Sequence, residues 1–173
     1  MNTKTNNEKV DFNDLKFYVL NEKMVNELNF NCGDNDLNEF IKKDAITNMK
    51  FNLSVIYLCK YNTEVVGYLA ISNDSIKIRK EDKLKMGKTY KYYPAIKIGR
   101  LAIDKKFQKK QIGTLMIKWV GGIGIKLRKE IGIKFISVDA YIKSKEFYEK
   151  NSFKVLENNN KNKHNISMYL DLK

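Results

Sequence analysis

The sequence predicts an α/β (α+β) fold in which helices flank a mixed, mostly antiparallel central sheet. Three observations predict it. Apolar and polar stretches follow one another in the order β-α-α-β-β-β-α-β-α-β-β. Two apolar runs, Leu53 to Cys59 and Val65 to Ser72, are joined by Tyr61-Asn62-Thr63-Glu64, a hairpin signal. Ile98 to Ile117 reads as strand, polar turn and helix. The strands before and after that helix can lie parallel while the hairpins are antiparallel, which makes the sheet mixed.

In chain order, residues 1 to 13 read as a loose polar lead. Leu15 to Leu20 is a first strand, with Phe17 and Val19 alternating against Lys16 and Tyr18. Met24 to Phe30 reads as a short helix, Asn31-Cys32-Gly33-Asp34 as a turn, and Asp34 as an N-cap. Leu37, Phe40, Ile41 and Ala45 then fall at helical spacing, so residues 35 to 50 form an amphipathic helix packed on the core. After the hairpin, Ile76 to Tyr93 is polar and basic and reads as a surface connection or irregular helix. The central helix opens at Ile112-Gly113, carries Leu115, Met116, Trp119 and Val120 on one stripe, and runs to about Glu130, ending near Gly132. Gly121, Gly122 and Gly124 weaken its middle; either a close packing partner or a break explains them. Ile133 to Ala140 is a buried strand and Ser144 to Asn151 a short helix. Phe153 to Leu156 and Asn165 to Leu170 are two strands separated by the polar loop Glu157 to His164.

Composition narrows the classes. The 173 residues suit one domain spanning the chain, and 43% hydrophobic with 12% aromatic residues is too much for a disordered chain. No apolar run reaches the roughly 18 residues of a membrane span, and MNTKTNNEKV lacks the apolar stretch of a signal peptide, so a cytoplasmic location is expected. Cys32 and Cys59 form no CxxC and read as buried thiols. His164 is the only histidine, so neither a histidine metal site nor a Ser-His-Asp triad is supported, and no metal is expected. The net charge is +13, and Lys77 to Lys134 holds eighteen Lys or Arg against four Asp or Glu. A basic region of this kind is either a site for a phosphate-rich partner or a solvated lysine face.

The turn after Ile98–Ile103 begins with Asp104 and leads to Gln108-Lys109-Lys110-Gln111-Ile112-Gly113. A strand–turn–helix unit aims free backbone N–H groups and the positive helix end at one spot, where a phosphate can sit; most such units bind nothing. The glycine-rich loop of nucleoside triphosphatases is absent, and so is the dinucleotide fingerprint, since only Gly113 lies in the turn.

Gln108 to Gly113 resembles the acetyl-CoA pyrophosphate loop of the GNAT acetyltransferase superfamily, Q/R-x-x-G-x-G/A, with Gln111 where the pattern has its first glycine. The element order is similar to the GNAT fold over almost the whole chain. Asn29-Phe30-Asn31-Cys32-Gly33, followed by Leu37-Asn38-Glu39-Phe40-Ile41, resembles the F-x-C-G…L-x-x-F-L start of GNAT toxins from bacterial toxin–antitoxin pairs. Val66 to Ser72 resembles the strand that follows there, and Tyr93 to Asp104 resembles P-A-x-x-x-G-R-L-A-V-D. Phe147-Tyr148-Glu149-Lys150-Asn151-Ser152-Phe153 resembles F-Y-x-x-x-G-F, with Ser152 in place of glycine.

The resemblance implies an acetyl-CoA-dependent N-acetyltransferase, with the amine of aminoacyl-tRNA as acceptor and a ribbon-helix-helix antitoxin as partner; whether it forms a homodimer stays open. The runner-up is transfer to a small amine or a protein N-terminus, and a further alternative is a GNAT-like fold that only binds RNA or protein. Leu101, Ala102 and Ile103 are expected to face the acetyl group and any oxyanion formed on it. Gln108, Lys109, Lys110, Gln111, Ile112, Gly113 and Thr114 are expected to hold the pyrophosphate, with Gln111 at a negative φ and its side chain toward solvent. Tyr148 is implied as the proton donor to the departing thiolate. The acceptor amine has a pKa of about 7.7–8.0 or lower and needs little help from a base. Arg100 lies in an apolar strand, where it either meets tRNA phosphate or sits in an ion pair. Lys83, Lys85 and Lys88 are expected to flank the acceptor side and meet tRNA phosphate.

Overall fold

A computed structural model describes residues 10–87, 90–156 and 164–173. Its strands are β1 (Leu15–Val19), β2 (Val55–Tyr61), β3 (Glu64–Ile76), β4 (Tyr93–Ile103), β5 (Phe135–Tyr141), β6 (Lys154–Val155) and β7 (Asn165–Asp171). They form one sheet in the order β1-β2-β3-β4-β5-β7-β6. Only β4 and β5 pair in parallel, on either side of the central helix; every other pair is antiparallel. The mixed, mostly antiparallel sheet is therefore as the sequence predicts.

The helices are α1 (Glu22–Asn26), α2 (Asn35–Glu39), α3 (Ala45–Lys50), α4 (Lys80–Lys85), α5 (Ile112–Leu127) and α6 (Lys145–Lys150). A π-helical turn, Phe40–Asp44, joins α2 to α3 without a break, so the predicted helix over 35–50 is one run with one widened turn. Asn21 caps α1 by accepting from the Met24 N–H, and Asp34 caps α2 by accepting from the Leu37 N–H.

Side-chain alternation along β3 divides the core. Leu69 and Ile71 join one cluster with Ile98, Met116, Val120, Ile136, Val138, Met168 and Leu172, under α5 and α6. Tyr68 and Ala70 join another with Phe30, Phe40, Ile41, Ala45, Ile56 and Leu58, under α1–α3. Ile76, Ile78, Tyr93, Phe135 and Tyr169 form a third, with Met86 beside α4. Each fully buried aliphatic side chain contributes roughly 1.5–3 kcal/mol, so the clusters fix which helix lies on which face. Trp119 completes the first cluster at the sheet's edge, stacked on Phe17 at 4.1 Å.

Several boundaries differ from the sequence reading. The lead is not loose from residue 10 onward: Val10 is buried and Phe12–Asp14 form a 3-10 turn. α1 starts and stops earlier than Met24–Phe30 because the Asn21 cap sets its first turn. The supposed connection is largely structured, since β3 continues to Ile76, α4 follows, and β4 begins at Tyr93. α5 ends at Leu127 rather than near Glu130, because Arg128 to Glu130 close into tight turns. Its glycines do not break it: a Cβ on Gly124 would come within 2.6 Å of Leu172 Cδ1, so that glycine lets α5 lie close on the sheet. Residues 157–163 of the predicted polar loop lie outside the described residues, as does Lys88. Among the described residues no helix is long and apolar enough to cross a membrane.

Ser152 adopts φ 66° where the resembled motif has glycine. A left-handed conformation is unfavourable for a residue with a Cβ, so Ser152→Gly is expected to stabilise the fold by up to about 1 kcal/mol, read as a higher melting temperature.

Candidate active site

The site arises where two parallel strands part. β5 pairs with β4 only through Ala95–Ile98 against Phe135–Val138. Beyond that point β4 carries a bulge: Ala70 pairs with Arg100 and Ile71 with Ile98, leaving Gly99 over. A bulge bends its strand, and among the described residues the edge of β4 from Gly99 to Ile103 has no strand partner on the β5 side. The resulting cleft is about 1050 Å³. Leu101, Ala102 and Ile103 line it from β4, and Val138 to Tyr141 line it from β5.

One end of the cleft is closed by the turn before α5. Asp104 is 7% exposed and accepts from two backbone groups, Lys106 N–H at 3.0 Å and Asn31 N–H at 2.9 Å. The Gln108 amide donates to the Cys32 carbonyl at 2.8 Å and to the Ile103 carbonyl at 3.0 Å. These bonds clamp the turn to β4 and to the segment before α2. Gln108 lines the cleft, but its amide nitrogen is engaged inside the protein.

Gln111 departs from expectation: its φ is 62°, in the left-handed region, and not negative. The geometry explains it, because a left-handed residue directly before helical Ile112 turns successive N–H groups to one side, forming an anion-binding nest. The resembled pattern has a glycine at this position for the same reason. Gln111 makes no side-chain cap, and the first bond into α5 is Leu115 N–H to Gln111 C=O at 3.1 Å. The N–H groups of Ile112, Gly113 and Thr114 therefore have no intrahelical acceptor, and all three residues line the cleft. These free N–H groups stand at the positive end of a 16-residue helix, where negative charge is favoured. Lys109 lines the cleft; Lys110 does not, and its Nζ lies 5.4 Å over the ring of Phe107.

α6 brings Tyr148 to the same cleft. Its neighbour Phe147 packs against the start of α5 so closely that a Cβ on Gly113 would lie 3.0 Å from Phe147 Cζ. Tyr148 is 6% exposed, edge-on to Phe147 and Phe153, and lines the cleft. Among the described residues its hydroxyl has no hydrogen-bond partner, and burial pushes its pKa well above the ordinary value. It is held as a neutral phenol with a proton to give.

The other end of the cleft is polar. Arg100 lies with its guanidinium 5.0 Å over the Phe40 ring and 3.9 Å from Asp36, so it combines an aromatic contact with a loose ion pair. Its Nε is buried without a partner among the described residues. Tyr141 OH donates to Asp36 at 3.1 Å, and Lys143 pairs with Asp34 at 2.9 Å. Asp139 accepts from Lys97 and Ser167, each at 2.6 Å. Burial opposes the ionisation of Asp139, but Lys97 and Ser167 outweigh it and hold the carboxyl below its usual range. Asp34 is likewise held low, chiefly by Lys143. Asp36, Tyr141, Lys143 and Asp139 went unrecognised in the sequence because the fold alone brings them together. Cys32 also lines the cleft, where burial raises its thiol pKa and so disfavours a thiolate.

Lys83 and Lys85 are not part of this site. They sit on α4, beside Tyr93, Phe135 and Tyr169, where Lys85 pairs loosely with Asp82 at 3.9 Å. Asp82 on α4 instead accepts from Tyr169 OH and from Lys154, and no residue of α4 lines the cleft. Among the described residues the cations lining the cleft are Arg100, Lys109, Lys143 and Lys150. Among those residues, too, no group of three His, Cys, Asp or Glu is placed to hold a metal ion.

Comparison with known proteins gives a consistent picture. Residues 52–155, more than half of the chain, match the acetyltransferase (GNAT) domain family. The fold is similar to that of AtaT complexed with acetyl-methionyl-tRNAfMet, with a TM-score of 0.78 and 22% identity over 91% of this chain and 95% of that one. It is similar to a tyrosine-to-phenylalanine mutant of KacT, with a TM-score of 0.79 and 21% identity over 92% and 95%. A third similar structure is a tyrosine-to-phenylalanine mutant of the AtaT toxin bound to the C-terminus of the antitoxin AtaR and acetyl-CoA, with a TM-score of 0.71 and 21% identity over 92% and 94%.

Proposed function

The chain belongs to the acetyltransferase (GNAT) domain family, and from that premise we propose that it transfers acetyl from acetyl-CoA to the α-amine of aminoacyl-tRNA in the cytoplasm, blocking translation as a toxin. The observation that carries the enzymatic part is a single cleft that joins the free N–H groups of Ile112, Gly113 and Thr114 to the buried phenol of Tyr148. The choice of acceptor is supported by the likeness to AtaT, whose structure holds acetyl-methionyl-tRNAfMet, over nine-tenths of the chain. The likeness to AtaT with AtaR supports an antitoxin partner, which we place in the ribbon-helix-helix class on the resemblance of the N-terminal motifs.

Acetyl-CoA supplies an already activated acyl group, so the protein's tasks are positioning and charge stabilisation. The nest at Gln111 and the start of α5 bind the pyrophosphate, with Lys109 adding charge. The unpaired edge of β4 at Leu101–Ile103 offers backbone N–H groups to the acetyl oxygen as negative charge develops there. Tyr148 gives its proton to the departing sulfur. Arg100 and Lys143 meet the phosphates of the acceptor end.

A second reading, transfer to a small cationic amine, draws on the carboxylates Asp34, Asp36 and Asp139 at the mouth of the cleft. One experiment separates the two. Calorimetry should first give acetyl-CoA a dissociation constant on the order of 1 µM, about 8 kcal/mol, with a matching rise in melting temperature. Labelled acetyl is then offered to aminoacyl-tRNA beside a panel of polyamines, aminoglycosides and peptides. Transfer to tRNA is expected. Transfer only to a panel amine selects the second reading, and no heat or melting shift at millimolar acetyl-CoA overturns both.

A further inference from the structure

Three carboxylates stand at the acceptor end of the cleft, and two of them are fully engaged. In Asp34, Oδ1 accepts from the Leu37 N–H at 3.4 Å and Oδ2 from Lys143 at 2.9 Å. In Asp139, Oδ1 accepts from Ser167 at 2.6 Å and Oδ2 from Lys97 at 2.6 Å. Asp36 differs. Its Oδ2 accepts from Tyr141 OH at 3.1 Å and lies 3.9 Å from Arg100 Nη2. Its Oδ1 takes no hydrogen bond among the described residues, and the side chain is 60% exposed while lining the cleft. One oriented carboxylate oxygen is left open where the acceptor must enter.

We infer that Asp36 is the residue against which the acceptor amine docks. The inference rests on the acetyltransferase reading and adds to it a specificity-determining group. An α-amine has a pKa of about 7.7–8.0 when free and lower beside an ester, so the acceptor arrives partly as a cation at neutral pH and donates N–H bonds in either form. A carboxylate is the natural first contact for it, and a charge-assisted hydrogen bond holds it more firmly than a neutral one. Arg100 beside Oδ2 repels a second cation and directs the amine to Oδ1. Tyr141 OH fixes the rotation of the carboxylate, so the free oxygen keeps its aim. The ammonium proton leaves to water through the open mouth. The neutral amine, still bonded to Asp36 through a remaining N–H, attacks the acetyl carbon: the N–C bond forms, the C–S bond breaks, Tyr148 protonates the sulfur, and the nitrogen gives up its second proton, which returns through water to the Tyr148 phenolate. Asp36 positions the amine and need not take the proton itself, in keeping with a substrate of low amine pKa.

The test compares wild type, Asp36→Asn and Tyr141→Phe on two acceptors, a pool of aminoacyl-tRNA and a 3′-aminoacyl-adenosine, which has the amine without the polyanion. Asp36→Asn keeps an oxygen for Tyr141 but loses the charge. It is expected to raise KM for both acceptors roughly ten- to thirty-fold, the loss of one charge-assisted hydrogen bond, with the acetyl-CoA dissociation constant and melting temperature near wild type. Tyr141→Phe leaves the carboxylate in place and should raise KM only about threefold, the share of a neutral orienting bond. If Asp36 serves only to hold Tyr141, Asp36→Asn will match wild type and Tyr141→Phe will be the more damaging; that result overturns the inference while leaving the function intact. If wild type transfers to neither acceptor but takes an amine from the panel, the tRNA reading fails, and the same comparison on that amine decides the role of Asp36. If wild type acetylates nothing, both fall.

Discussion

Replacing Tyr148 with phenylalanine is expected to cut turnover roughly 100-fold or more, the usual contribution of a positioned acid, while acetyl-CoA affinity and melting temperature stay close to wild type. The ring packs between Phe147 and Phe153 and the hydroxyl has no partner among the described residues, so its removal breaks no internal hydrogen bond. Burial raises the folded pKa above the unfolded value of about 10, which sets the sign of two further effects. The neutral phenol's share of stability is present below pH 10 and is lost as pH rises toward the folded pKa. For the same reason Tyr148 contributes no falling limb to the turnover profile below pH 10. Stopped assays of labelled acetyl transfer measure the turnover, and wild-type turnover in Tyr148→Phe would assign the proton to another donor.

Asp104→Ala is expected to destabilise the fold by about 3 kcal/mol, because it removes the charged acceptor from two part-buried bonds, to Asn31 N–H and Lys106 N–H. For a chain of this size the melting temperature should fall by roughly 10 °C. The loss is also functional. Asp104 and Gln108 tie the turn before α5 to the segment before α2, so acetyl-CoA affinity should weaken in step with stability. Asp104→Asn keeps one acceptor oxygen and should fall between the two. A melting temperature within about 2 °C of wild type in Asp104→Ala would mean that the Asn31 and Lys106 donors find other partners, since the loss would then be under about 1 kcal/mol.

The element types were legible because the core stripe of α5 recurs every three to four residues and β5 is a short unbroken run, buried from Phe135 to Val138. The bounds of β3 and β4 were not. The sequence reading ends the strand at Ser72, because Asn73, Asp74 and Ser75 are polar, yet their backbones pair with Ile96, Ala95 and Pro94. Gln111 was misjudged because local sequence gives no reason for a positive φ at glutamine. The turn's role in presenting N–H groups requires it, and the glycine of the resembled pattern was the available sign. Asp104 was visible only as a turn residue, since its partner Asn31 lies 73 positions away. Tyr148 and the loop before α5 were legible only through resemblance to known motifs. On the acceptor side Arg100 was legible as an arginine in an apolar strand, but Asp36 was not, since its contact with Tyr141 spans 105 positions. Charge in a sequence carries no position: Lys83 and Lys85 fold onto α4 and do not line the cleft.

The central claim concerns where the acetyl group goes, and the most direct measurement reads that bond. Aminoacyl-tRNA is incubated with the protein and isotope-labelled acetyl-CoA and digested with ribonuclease, and the 3′-terminal nucleoside is examined by mass spectrometry. The account predicts N-acetyl-aminoacyl-adenosine carrying the label, formed with wild type and nearly absent with Tyr148→Phe. Unmodified aminoacyl-adenosine under conditions where the protein acetylates another amine would contradict it.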